Sequence, residues 1–174
     1  MVAFRSSRRV LLITAVCAML AACGFHLRGS GGPTFSQGIL LQGIESGNPL
    51  WGDFNSALTL AGGRLVRSEE QAAGIVHVYR AYHSRRSLTL SRFGRSTEFD
   101  LFYRIVYDVR SPSGEVLLPR QDIEVRRDYF NDQTLPLAQV AEEGVMRAEM
   151  QKEAAQALLR RTITALRKPV ASNS

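Results

Sequence analysis

Three histidines (His26, His77 and His83) and two cysteines (Cys17 and Cys23) are the side chains most able to ligate a metal or attack a substrate. Their spacing supports neither role. Two cysteines cannot build a disulfide framework or a tetrahedral zinc site. His77 and His83 stand six residues apart in an extended run. On one regular strand they share a side and lie about 20 Å apart, at roughly 3.3 Å per residue, too far for one ion. The sequence holds no Gly-x-Ser-x-Gly elbow, P-loop, His-Glu-x-x-His pair or dinucleotide fingerprint. Its acids are dispersed, with no pair in an apolar setting that would raise a pKa. The expectation is a protein that binds and does not catalyse, with no metal and no cofactor.

The arginines are more informative. No acid occurs between Glu70 and Glu98, and that stretch carries Arg80, Arg85, Arg86, Arg92 and Arg95. Ser91 to Ser96 reads as the turn between two strands, which puts Arg92 and Arg95 at a hairpin tip beside Phe93. Guanidinium forks match phosphate and carboxylate bidentately. The functional reading is an anionic lipid or protein surface. The plainer reading is a solvated basic edge that discourages strand-to-strand aggregation.

Compartment comes from the first residues. Arg5, Arg8 and Arg9 precede an eleven-residue run, Val10 to Leu20, that is apolar except for Thr14. A basic start, a short apolar core and small residues before a cleavage point describe an export signal. The run is shorter than the ~20 residues needed to cross a bilayer. The segment Leu20-Ala21-Ala22-Cys23 resembles the lipobox of bacterial lipoproteins. That resemblance implies cleavage before Cys23 and acylation of its thiol and of the new amine. Two acyl chains already suffice for firm anchoring, so this implies a stable membrane attachment. Cys17 leaves with the signal, so no thiol remains for a disulfide. By the same resemblance to enteric-type lipoproteins, in which an aspartate after the cysteine favours inner-membrane retention, Gly24 implies the outer membrane. Loss of residues 1–22 removes three arginines and lowers the formal charge from +6 to +3. That is modest for a nucleic-acid binder, and export also argues against nucleic acid.

The remaining elements form one domain. Residues 38–43 read as an inner strand. Asn48-Pro49 opens a helix, with Leu50, Phe54, Ala57, Leu58 and Ala61 on one face, and Gly62-Gly63 closes it. Residues 64–72 are ambiguous, with Ser68-Glu69-Glu70 able to start a short helical turn. A strand begins at Gly74 and can reach Leu90. Another follows with Phe99, Leu101, Tyr103, Ile105, Tyr107 and Val109 at alternate positions. Ser111 to Gly114 turns the chain into a fourth strand ending near Tyr129. A helix over 137–167 carries Leu137, Ala141, Val145, Ala148, Ala155, Leu159, Ile163 and Leu166 as its expected apolar stripe, interrupted by Gln151 and Lys152. The order β-α-β-β-β-α predicts an α+β two-layer sandwich: a four-stranded, mostly antiparallel sheet with two helices on one face. The boundaries are a signal over 1–22, a lipidated tether over 23–36, the domain over 37–168 and a short tail over 169–174.

With the lipobox, the opening Cys23-Gly24-Phe25-His26-Leu27-Arg28-Gly29 and this element order, the chain resembles the LptE family of LPS-assembly lipoproteins. The resemblance implies a lipid-anchored outer-membrane protein that partners and plugs the β-barrel protein LptD, and that helps place lipopolysaccharide in the outer leaflet. It also implies lipopolysaccharide contact through basic residues. By position Arg92 or Arg95 matches the hairpin contact, with Arg85 and Arg86 next to it. On the helix the matching position is Ala148 and the nearest basic residue is Arg147. Outside this family the pattern fits an auxiliary lipoprotein of a lipid-transport ABC system. A small envelope hydrolase would need a nucleophile and base that are not visible.

Overall fold

The computed structural model describes residues 35–90, 96–130 and 136–167. Strand β1 (Gly38–Gln42) leads into helix α1 (Pro49–Leu60), strand β2 (Arg64–Val66) and a 3-10 turn (Glu69–Gln71). Three long strands follow: β3 (Gly74–Leu90), β4 (Ser96–Arg110) and β5 (Val116–Phe130). Helix α2 (Pro136–Arg167) comes last.

Local chemistry fixes α1. The Asn48 side chain accepts from the Leu50 amide at 2.9 Å, and Pro49 takes the first turn, where its missing N–H costs nothing. Leu50, Phe54 and Leu58, four residues apart, are fully buried. Gly62 (φ 89°) supplies the left-handed residue that ends the helix, and the Gly63 amide caps the Leu58 carbonyl at 2.9 Å.

The sheet has five strands in the order β2-β1-β3-β4-β5, where four were expected. It is also mixed. β1 runs parallel to both β2 and β3, and β4 runs antiparallel to its two neighbours, β3 and β5. The extra strand is three residues long. Alternation cannot be recognised over so short a segment. Its direction follows from α1, which carries the chain back across the sheet before β2 begins and so forces a parallel pairing.

One face of the sheet takes both helices. Ile39, Leu41, Val76, Val78, Leu101, Tyr103, Ile105, Tyr107, Val109, Ile123 and Val125 pack with Leu50, Phe54 and Leu58 of α1 and Met150, Ala154, Leu158 and Leu159 of α2 in one cluster. Each fully buried large side chain contributes about 1.5–3 kcal/mol. The other face is open to solvent, apart from a small patch of Leu40, Ala72 and Ile75 near β1.

Two expectations fail in detail. A bulge leaves Tyr79 without a partner on β4, because Val78 pairs with Tyr107 and Arg80 with Val106. The bulge reverses the pleat, so His77 opposes Asp108 on the open face and His83 opposes Tyr103 on the helix face. The two histidines are therefore on opposite sides of the sheet. In α2 the apolar stripe holds only in the C-terminal half. Ala155 and Leu159 are buried, but Ala141 and Ala148 are exposed and Val145 is 60% exposed. Extending the buried row Met150, Ala154, Leu158 back at helical spacing brings Glu143, Met146 and Arg147 to the sheet instead. The partner surface selects the face, and at this end of the sheet it is polar.

Candidate functional site

The anion-binding candidates fall in three places. Arg92 and Arg95, like Cys23, lie outside the described residues. Arg85 and Arg86 are neighbours on β3 and therefore point to opposite faces. Arg147 joins Arg85 on the helix face.

There the strands and α2 meet through one carboxylate. Glu143 accepts from Arg85 Nη1 at 3.2 Å, from Arg147 Nε at 2.8 Å and Nη2 at 2.6 Å, and from the Tyr129 hydroxyl. Burial alone would raise the Glu143 carboxyl. The Tyr129 hydroxyl and Arg147 outweigh it and hold the carboxyl below its ordinary value. Tyr129 moves the other way, raised by its own burial and by the adjacent Glu143. Arg85 also lies over the Phe99 ring at 4.5 Å. Beside this group the His83 ring lies tilted against Tyr103 with centroids 4.3 Å apart, and its buried Nδ1 has no hydrogen-bond partner among the described residues. Desolvation, helped by Arg147, keeps His83 below its ordinary pKa.

On the open face Arg86 and Arg126 close over Asp100, at 3.3 Å and 2.9 Å. Asp100 is fully buried although it sits at a position expected to be wet. Phe102 lies beneath both guanidinium groups, at 5.4 and 5.9 Å. Arg104 follows, paired with Glu124 and with Asp122 at 3.6 Å. Together Tyr82, Ser84, Arg86, Phe102, Arg104 and Arg126 border a shallow groove of about 510 Å³.

The acid-free stretch of sequence is thus not acid-free in space, because Asp100 and Glu143 neutralise Arg86 and Arg85 from β4 and α2. Asp100 was missed as an anchor because its burial comes from arginines on two other strands. Gln151, an interruption of the helical stripe, donates to Asp53 at 2.7 Å and ties α2 to α1. Among the described residues no His, Cys, Asp and Glu group is arranged to hold a metal. No helix there is long and apolar enough to cross a membrane, which says nothing about strands. What remains is an aromatic and arginine-rich surface suited to contact.

The comparisons with known proteins give the family. Residues 42–162 match the sequence model of the family described as LptE: Lipopolysaccharide-assembly. The LPS-assembly lipoprotein LptE of Pectobacterium atrosepticum is 28% identical over 156 residues, covering 88% of this chain and 84% of the relative. Its counterpart from Yersinia pestis is 30% identical, covering 88% and 74%. Among solved structures, the rare lipoprotein B of Shewanella oneidensis shares the fold with a TM-score of 0.65 at 23% identity, covering 74% of this chain and 95% of that one. A lipoprotein B from Nitrosomonas europaea gives 0.63 at 28% identity, covering 79% and 88%. With a match across most of its domain, the chain belongs to the LptE family of lipopolysaccharide-assembly lipoproteins, which are not enzymes.

Proposed function

We propose that this chain is an outer-membrane lipoprotein, acylated at Cys23 after removal of residues 1–22, whose domain docks in the lumen of an LptD-like β-barrel and helps deliver lipopolysaccharide to the outer leaflet. The observation that carries the reading is the open face of β3, β4 and β5. It sets Tyr79, Tyr82, Phe102 and Val106 among arginines. Arginine and aromatic residues with scattered apolar side chains are the composition of moist protein interfaces. Family membership and the names of the relatives support the same direction.

Lipopolysaccharide contact falls first to Arg92 and Arg95, in the sequence between β3 and β4. Arg85, Arg86 and Arg147 each already hold a carboxylate. They contribute by releasing that partner or by presenting their remaining donors. Guanidinium groups would compete with the divalent cations that bridge lipopolysaccharide phosphates and so loosen its packing.

The test is affinity isolation of the full chain from outer membranes, beside a Cys23→Ser variant. A large heat-modifiable barrel should accompany the native chain, and the variant should leave the membrane fraction. Recovery of an ABC complex in place of the barrel would assign the chain to an auxiliary role in lipid transport. For the contact residues, unchanged lipopolysaccharide binding by the Arg92→Ala/Arg95→Ala double variant would exclude the hairpin tip.

A further inference from the structure

Two arginines of the open face have no carboxylate partner among the described residues, and both border one groove. Arg80 and Arg120 line a hollow of about 410 Å³ together with Tyr79, Tyr82, Arg104 and Val106. The acids nearby are engaged. Asp108 accepts from the Tyr79 hydroxyl at 2.6 Å and from Arg110 at 2.8 Å, while Glu124 and Asp122 hold Arg104.

The backbone aims these side chains together. The β3 bulge releases Tyr79 from strand pairing. A second irregularity lies at the same level on the other side of β4. Tyr107 pairs with Gln121 and Val109 with Leu118, so Pro119 and Arg120 are both set opposite Asp108. Proline cannot donate to the ladder, which is why the pairing breaks there. Bulges on both strands flanking β4 re-aim a side chain toward one spot. The result is that the Arg120 guanidinium lies over the Tyr79 ring, 3.8 Å from its centre. The ring is itself fixed, by His77 stacked at 4.3 Å and by its hydroxyl bonded to Asp108. Arg80 lies over Tyr82 at 5.8 Å. A guanidinium held by its face leaves its N–H edge free for an oxyanion.

We propose that Tyr79, Arg80 and Arg120 form a binding site for a phosphate group carried on a sugar. A phosphate dianion matches two unpaired forks, whereas one carboxylate is satisfied by a single fork. The partly exposed ring of Tyr82, beside the covered Tyr79, supplies an apolar wall for the ring of a sugar. The hollow falls within the usual size of small-ligand sites. The inference deepens the function proposed above and rests on it in so far as the sugar phosphate belongs to a glycolipid headgroup.

The test uses the full chain in a non-ionic detergent, titrated with glucose 1-phosphate and separately with inorganic phosphate. Binding is read by calorimetry and by the backbone amide resonances of residues 79–82 and 120. Glucose 1-phosphate should saturate and shift these resonances. Arg80→Ala and Arg120→Ala should each weaken binding about tenfold, the loss of one charged contact. Arg120→Lys should weaken it too, since lysine lacks the planar fork, and it keeps the test valid should the alanine variant not fold. Arg67→Ala, on the loop after β2, should change nothing. Equal affinity for inorganic phosphate supports the phosphate contact and assigns recognition to the free anion. No saturable binding, or full binding by the Arg80 and Arg120 variants, overturns the site. Tighter binding of a glutamate-rich peptide at equal ionic strength also overturns it, in favour of an acidic protein segment. None of these outcomes depends on recovering a barrel, so this site and the docking reading fail separately.

Discussion

Removing Arg86 and Arg126 together should destabilise the domain far more than their exposure implies. Their side chains are 66% and 54% exposed, and an ordinary surface ion pair contributes only about 0–1 kcal/mol. Their shared partner, Asp100, is fully buried. With both arginines gone its carboxylate is left in the sheet with no counter-charge, a situation that costs about 3–5 kcal/mol. Arg126→Ala alone leaves Arg86 at 3.3 Å and should cost about 1–2 kcal/mol, the value of one charged hydrogen bond less its solvation. In an Asp100→Asn background the same double substitution should cost under about 1 kcal/mol, because the exposed guanidinium groups then return to water at little loss. Urea unfolding of the wild type, the double variant, Asp100→Asn and their combination, with the slope checked for constancy, gives the coupling directly. Thermal midpoints should follow at roughly 2–4 °C per kcal/mol. A cost below about 1 kcal/mol for the double variant with Asp100 intact would refute the reasoning, since it would mean the carboxylate is not left stranded without its arginines.

Three further outcomes are expected. Glu143 is held below its ordinary value of 4.5, so the stability it contributes is complete above that pH and is lost as the pH falls through its depressed folded value; Glu143→Gln should flatten the urea midpoint in that window, and an unchanged acid limb would rule this out. His83 is held below 6.5, so the unfolded chain takes up its proton first and stability declines as the pH drops below 6.5; His83→Gln should remove this decline, read by unfolding at pH 8 and pH 5. Leu158→Ala should cost about 2–5 kcal/mol by opening a core cavity, whereas Val145→Ala on the exposed side of α2 should stay within about 0.5 kcal/mol; equal losses would restore the stripe expected from sequence.

The elements with long, regular patterns were legible in the sequence. Asn48-Pro49, the spacing of Leu50, Phe54 and Leu58, and Gly62-Gly63 specify α1 without reference to the rest of the chain. The alternation from Phe99 to Val109 specifies the inner and outer faces of β4 because the side-chain period of a strand is two wherever the pleat is unbroken. The opening around Cys23 and the element order carried the resemblance to the LptE family, which the match over residues 42–162 shows. These are local properties, carried by residues close in sequence.

Tertiary structure decided everything that depends on who meets whom. β2 exists because a parallel neighbour was available at β1, and its three residues hold no pattern of their own. The bulge at Tyr79 moved His83 to the helix face and freed a tyrosine ring to receive Arg120 from two strands away. The first half of α2 turned Glu143 and Arg147 inward, since the sheet there offers the polar groups of Arg85 and Tyr129. Charge followed the same rule. Arg86 reads as free along the chain and is paired across the sheet, while Arg120, among acids in the sequence, has no carboxylate partner among the described residues. Periodicity records the angle between successive side chains, but the energy of a charge depends on the groups within a few ångströms of it, and only the fold brings those together.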